Sequence, residues 1–108
     1  MEKEINKYDK NNNLVHFKNS KGYEEWKEYD ENNNKIHYKN SGGDEEWFKY
    51  DEYNNLVYCK SSYGNEMWFK YDEKKKQILI TQQEFKQIER IKLYLNIKNS
   101  NRFEIMDI

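Results

Sequence analysis

The stretch "YDENNNKIHYKNSGGDEEWFK", Tyr29 to Lys49, is followed at once by "YDEYNNLVYCKSSYGNEMWFK", Tyr50 to Lys70. It is preceded, from Tyr8, by "YDKNNNLVHFKNSKGYEEWKE". One phrase of 21 residues is thus written three times, and a period of that length marks a repeat architecture. Tyr8, Tyr29, Tyr50 and Tyr71 each precede an aspartate (Asp9, Asp30, Asp51, Asp72). Trp26, Trp47 and Trp68 hold a second column, with Ile5 in the equivalent place before them. Val15, Ile36, Val57 and Ile78 form a third, and His16, His37, Tyr58 and Leu79 a fourth. The repeats cover residues 2–81, three full copies with a partial one at each end.

Each copy holds two runs rich in β-branched and aromatic residues, such as "KIHYKN" and "DEEWFKYD", separated by Asn-, Ser- and Gly-rich turns. The expected fold is mainly β: an antiparallel meander of about eight strands built from 21-residue hairpin repeats. A column stays on one face over an odd repeat only if the two hairpins differ in parity. A two-residue type I′ turn at Asn32–Asn33 and its equivalents, and a three-residue turn with a left-handed bulge at Gly22, Gly43 and Gly64, would supply that difference. This register sets Tyr29 opposite Ile36 and His16 opposite Trp26. It also sets Lys18, Lys39 and Lys60 opposite Glu24, Glu45 and Glu66. Val15, Phe17, Ile36, Tyr38, Phe48, Tyr50, Val57, Cys59, Phe69, Tyr71, Ile78 and Ile80 then gather on a core face. His16, His37, Tyr58 and the three tryptophans occupy the other, between charged margins. Exchanging the two turn types moves the tryptophans to the core face and leaves the histidines and Tyr58 where they are.

Beyond the repeats, Thr81 and Glu84 make a capping box, and Phe85, Ile88, Ile91 and Leu95 follow at helical spacing. A helix over 82–95 lying on the core face is expected, giving an α+β chain. Ile91, Leu93, Leu95 and Ile97 also alternate with period two, a rival strand signal. Residues 96–108 read as a terminal strand or packed tail. The whole, 1–108, reads as a single domain.

Composition narrows the function classes. With 35% hydrophobic and 17% aromatic residues, burial must come from Tyr, Trp and Phe. Proline and alanine are absent, and the Lys, Asn, Ile and Tyr bias is that of AT-rich codons, pointing to an AT-rich bacterial or phage gene. The net charge of -1 is spread over intermixed signs, unlike the concentrated positive charge that supplies nucleic-acid affinity. The lone cysteine, Cys59, excludes an internal disulfide. No apolar run reaches the length of a membrane span. A cytoplasmic protein of the host bacterial cell is the expectation.

The column Tyr-Asp-x-x-Asn-Asn, standing here as "YDKNNNL", "YDENNNK" and "YDEYNNL", resembles the YD repeats of bacterial RHS-type proteins. Asn12, Asn33 and Asn54 replace the glycine usual in that motif. The resemblance covers about three quarters of the chain and implies β-hairpin repeats that build sheets and are not themselves catalytic. A small free-standing protein of this look is similar to phage and mobile-element accessory proteins, among them anti-CRISPR and other counter-defence inhibitors.

Candidate chemistry is sparse. His16 and His37 lie two strands apart, roughly 9–10 Å, and Tyr58 takes the third place, so the column forms no zinc site. The carboxylates recur in every copy, whereas catalysis needs one asymmetric constellation with unlike pKa environments. No phosphate loop or nucleophile elbow is present. No catalytic, cofactor or metal site is therefore expected. The expected partner-binding residues are His16, Trp26, His37, Trp47, Tyr58 and Trp68, an aromatic strip of hot-spot composition. They would meet a larger protein or nucleoprotein complex, with no sequence-specific nucleic-acid contact and no membrane. The alternative is a self-associating repeat module, a homodimer through a sheet edge or face, since no proline guards the edges.

Overall fold

The computed structural model describes the backbone of residues 3–106 and the side chains of residues 3–96. Eight strands run in sequence: β1 (Ile5–Tyr8), β2 (Leu14–Lys18), β3 (Glu24–Tyr29), β4 (Lys35–Asn40), β5 (Glu45–Tyr50), β6 (Leu56–Ser61), β7 (Glu66–Tyr71) and β8 (Gln77–Ile80). They form one antiparallel sheet whose order is the sequence order, and a helix, α1 (Gln82–Met106), follows. The chain is mainly β with one C-terminal helix, as the repeats predict. Its residues cluster into two compact units, Met1–Met67 and Trp68–Ile108.

In the first unit both kinds of hairpin close with a three-residue loop. Asn40 and Asp44 bracket one: the Asp44 carbonyl accepts from Asn40 N at 3.0 Å, and Gly43 takes a φ of 96°. Asp30 and Asn34 bracket the other, with Asn33 at a φ of 65°. The expected two-residue turn at Asn32–Asn33 is therefore corrected. Asparagine does adopt the left-handed conformation it tolerates best after glycine, but as the last residue of a longer loop. The parity difference that the odd repeat demands comes instead from a β-bulge in each Tyr-Asp hairpin. Glu28 faces His37, yet Tyr29 faces Lys35, not Ile36. Lys7/Tyr8 and Lys49/Tyr50 show the same shift. The pairing skips Val15, Ile36 and Val57.

Asp30 explains why each phrase begins with the same dipeptide. Its Oδ1 accepts from the backbone N of Asn32 and of Asn34, both at 2.9 Å, and its Oδ2 accepts from Asn34 Nδ2 at 3.3 Å. These amides hold its carboxyl below the usual range, the Asn34 backbone bond most of all. Asp9 does the same with Asn11 and Asn13. Successive loops are also tied together. Asn13 Nδ2 donates to Asn33 Oδ1, and Asn34 Nδ2 to Asn54 Oδ1, each at 2.9 Å. Asparagine in the glycine place of the motif thus supplies both a positive φ and a link between repeats. At the other end of the strands, Ser41 Oγ accepts from Glu24 N at 2.9 Å and Ser62 Oγ from Glu45 N at 3.1 Å.

The face expected to be core is only half-buried. In this unit Asn40 alone among the described residues is buried, at 7% exposure, and Phe17, Tyr38, Phe48 and Cys59 all keep partial exposure. The bulge has brought Lys35 onto this face, where its ammonium lies 5.4 Å from the Tyr38 ring centroid and 5.2 Å from that of Phe48. Cross-strand neighbours and a lysine stem lie against the aromatics here.

The second unit departs from the repeat. In the β7–β8 hairpin Lys75 takes the left-handed place with a φ of 65°, but no bulge follows, so Trp68 faces Ile80 and Lys70 faces Ile78. Ile78 and Ile80 consequently share a face with Trp68, and not with Phe69 and Tyr71 as strict repetition requires. The capping box forms: Glu84 N donates to Thr81 Oγ1 at 3.1 Å. Burial centres on Ile80, with Phe85 and Ile88 half-buried. Farther along the helix Ile91 is 59% and Leu95 50% exposed, so the stripe expected to lie on the core face is open there. The helix also continues past 95 to Met106, which replaces the expected terminal strand or tail. A helix satisfies its own backbone, whereas a strand over 91–97 would need an edge to pair with. Asp107 and Ile108 lie outside the described residues.

Candidate functional site

Pairing across the first unit puts His16 opposite Trp26 and His37 opposite Trp47, with Lys18 opposite Glu24 and Lys39 opposite Glu45. Trp47 also faces Lys60, and Lys49 faces Tyr58. Directly opposed residues share a face, so His16, Trp26, His37, Trp47 and Tyr58 stand together as the repeat columns predict. Trp68, the sixth residue of that set, belongs to the second unit, where it is half-buried opposite Ile80.

The rings stand like plates in a rack. His16 stacks on Trp26 with centroids 5.3 Å apart and planes 13° apart, and His37 on Trp47 at 5.7 Å and 25°. These separations slightly exceed the spacing between neighbouring strands, which places the planes broadside to the hydrogen-bonding direction. Lys60 reaches Trp47 from β6, its ammonium 6.0 Å from the ring centroid, while His37 approaches from β4. Since β4 and β6 flank β5 on opposite sides, both faces of the Trp47 indole are covered. Trp47 is 38% exposed and Trp26, with His16 stacked on it, 37%.

Carboxylates fix each plate. His16 Nε2 lies 2.8 Å from Glu24 Oε2, His37 Nε2 lies 2.7 Å from Glu45 Oε2, and Tyr58 Oη donates to Glu66 Oε2 at 2.7 Å. The three repeats therefore make one bond with two kinds of ring. His37 Nδ1 adds Glu28 at 3.1 Å, so this imidazole bridges two carboxylates. Burial pulls its pKa down, but the Glu45 and Glu28 bonds prevail and the net shift is upward from 6.5. The bond to Glu66 raises the Tyr58 phenol. Every acidic partner here already serves a neighbouring ring. Among the described residues, no group of three or more His, Cys, Asp or Glu side chains could hold a metal ion.

The opposite face holds a cluster that the repeat columns did not single out. Tyr38 Oη donates to Glu25 at 2.8 Å, Tyr23 Oη donates to the same carboxylate at 3.0 Å, and Asn40 Nδ2 donates to Tyr38 Oη at 3.0 Å. The Tyr38 bond is the main reason the Glu25 carboxyl lies below its usual range. Beside it is a shallow depression of about 440 Å³ among Lys35, Asn40, Ser61, Tyr63 and Asn65. The phenol of Tyr63 meets Asp44 there. Cys59 is half-buried on this face, and burial raises its thiol pKa. The bulge that assembles this side leaves no mark in the residue columns.

No protein-family model and no curated protein matches the chain. No helix among the described residues is long and apolar enough to cross a membrane.

Proposed function

We propose that the chain is a non-enzymatic protein-binding module whose His–Trp face occupies the surface of a larger protein. The observation that carries this reading is the Trp47 sandwich between His37 and Lys60. Stacking of a nucleobase or sugar requires an open ring face, and here both are taken. An indole edge, framed by fixed carboxylates and lysines, instead suits the polar and apolar mixture of a protein surface, where tryptophan dominates binding energy. Repeated carboxylates engaged in turns and ring bonds favour a binding role over catalysis.

The concrete version follows the likeness to small phage and mobile-element accessory proteins: an anti-CRISPR-like inhibitor that blocks a host defence complex sterically in the bacterial cytoplasm. Tagged protein is passed over nuclease-treated host lysate beside a His37→Ala/Trp47→Ala variant of unchanged far-ultraviolet dichroism. A stoichiometric protein retained by the native chain and lost by the variant supports the proposal. Equal retention by both sinks it.

A further inference from the structure

We propose that β8 is a self-pairing edge, through which a second copy of the chain docks antiparallel with Leu79 facing its own counterpart across a twofold axis. In the sheet order β8 stands at one end, bonded to β7. An edge strand carries a row of unpaired backbone groups, and proteins usually guard it with charge, proline or a bulge. β8 reads "QILI" and is the one strand of the eight without a charged residue, whereas β1, at the other end, carries Lys7. The β7–β8 hairpin has also lost the bulge of the hairpins before it. Charge, proline and a bulge are thus all missing from β8, and only its four-residue length limits the edge.

The register follows from the hairpin's hydrogen bonds. Asp72 N donates to the Lys76 carbonyl, so alternation turns the backbone groups of Ile78 and Ile80 toward β7 and those of Gln77 and Leu79 outward. An antiparallel pair centred on Leu79 sets Gln77 opposite Thr81 and brings no charged residue against another chain. Centring one position earlier would set Lys76 against Ile80. An uncharged strand is compatible with itself, and a twofold contact needs such self-complementarity. The Leu79 side chain is 65% exposed.

A second feature points the same way. Every exposed leucine and isoleucine among the described residues lies between 79 and 95: Leu79, Ile91, Leu93 and Leu95. A four-residue edge alone falls short of the ~1,200 Å² of a stable interface. The remaining area would come from the exposed apolar residues of the helix that follows β8, Ile91 and Leu95. This contact is independent of the His–Trp face.

Sedimentation of the full chain is expected to give twice the 13.5 kDa mass of one chain, and Leu79→Lys, which sets like charges on the axis, to halve it. Because Leu79 is exposed, dichroism of that variant should match the native chain. A Leu79→Cys chain in a Cys59→Ser background gives a second readout. Facing Cα atoms lie about 5.5 Å apart in such a pair, within the disulfide range, so mild oxidation should link it to a covalent dimer far faster than Gln77→Cys. A monomeric native chain, equal cross-linking at 77 and 79, or a dimer dissolved by Trp47→Ala and untouched by Leu79→Lys would each overturn the proposal.

Discussion

His37 lies flat against Trp47, ring centroids 5.7 Å apart, while its two nitrogens hold Glu45 at 2.7 Å and Glu28 at 3.1 Å. The two carboxylates raise the imidazole pKa above 6.5 against the pull of burial. A group whose folded pKa is raised contributes stability that is full below its unfolded value and lost as pH rises through the folded one. Between pH 6 and pH 8 the native chain should therefore lose more stability than His37→Gln. Urea midpoints at the two pH values provide the check, and identical slopes would refute the bridge.

The same stack predicts an energetic coupling. Cross-strand pairs contribute roughly 0.2–1 kcal/mol relative to alanine, and a cationic imidazole against an indole face belongs at the upper end. A double-mutant cycle of His37→Ala and Trp47→Ala should give a coupling of that size at pH 6 and a smaller one at pH 8. Because the pair is marginal for folding, loss of partner binding in the double variant is separable from loss of structure.

Asn33 combines a positive φ with acceptance of a hydrogen bond from Asn13. Glycine keeps the first property and loses the second, and alanine loses both. Left-handed backbone costs an ordinary residue roughly 1–2 kcal/mol, and an exposed hydrogen bond is worth about 0.5 kcal/mol. Asn33→Gly should thus lower stability only slightly, and Asn33→Ala by about 1–2 kcal/mol. Chemical denaturation would rank them, and the reverse order would discard this account of the motif's asparagine.

Ser61 occupies the place of Asn19 and Asn40 in the repeat. Asn40 Oδ1 accepts from Gly42 N at 2.9 Å and Asp44 N at 3.1 Å, and Asn19 Oδ1 serves Lys21 and Tyr23 likewise. The shorter Ser61 hydroxyl is buried without a hydrogen-bond partner, beside the 440 Å³ depression that leaves room for a longer side chain. Ser61→Asn should restore the loop's bonds and raise stability by about 1 kcal/mol. A lower melting temperature for the variant would contradict the reading.

Much of this chain is legible in its residues because the repeat reports the same geometry three times. Strand positions, the glycine loops, the His16–Trp26 and Lys18–Glu24 pairings, and the common face of the histidines, Tyr58, Trp26 and Trp47 all follow from alternation and turn chemistry, which are local rules. The capping box at Thr81 is equally local. The bulge between Glu28 and Tyr29 is not. A shift by one residue can be taken up by a turn or within a strand, and both solutions satisfy the same column parity. Only the tertiary structure decided between them, and with that it moved Lys35 over Tyr38 and Phe48. It also decided that the apolar face stays half-open, that Ile80 faces Trp68, and that α1 runs on with Ile91 and Leu95 exposed. Burial depends on what lies across a face, and residue order along a strand carries no record of that.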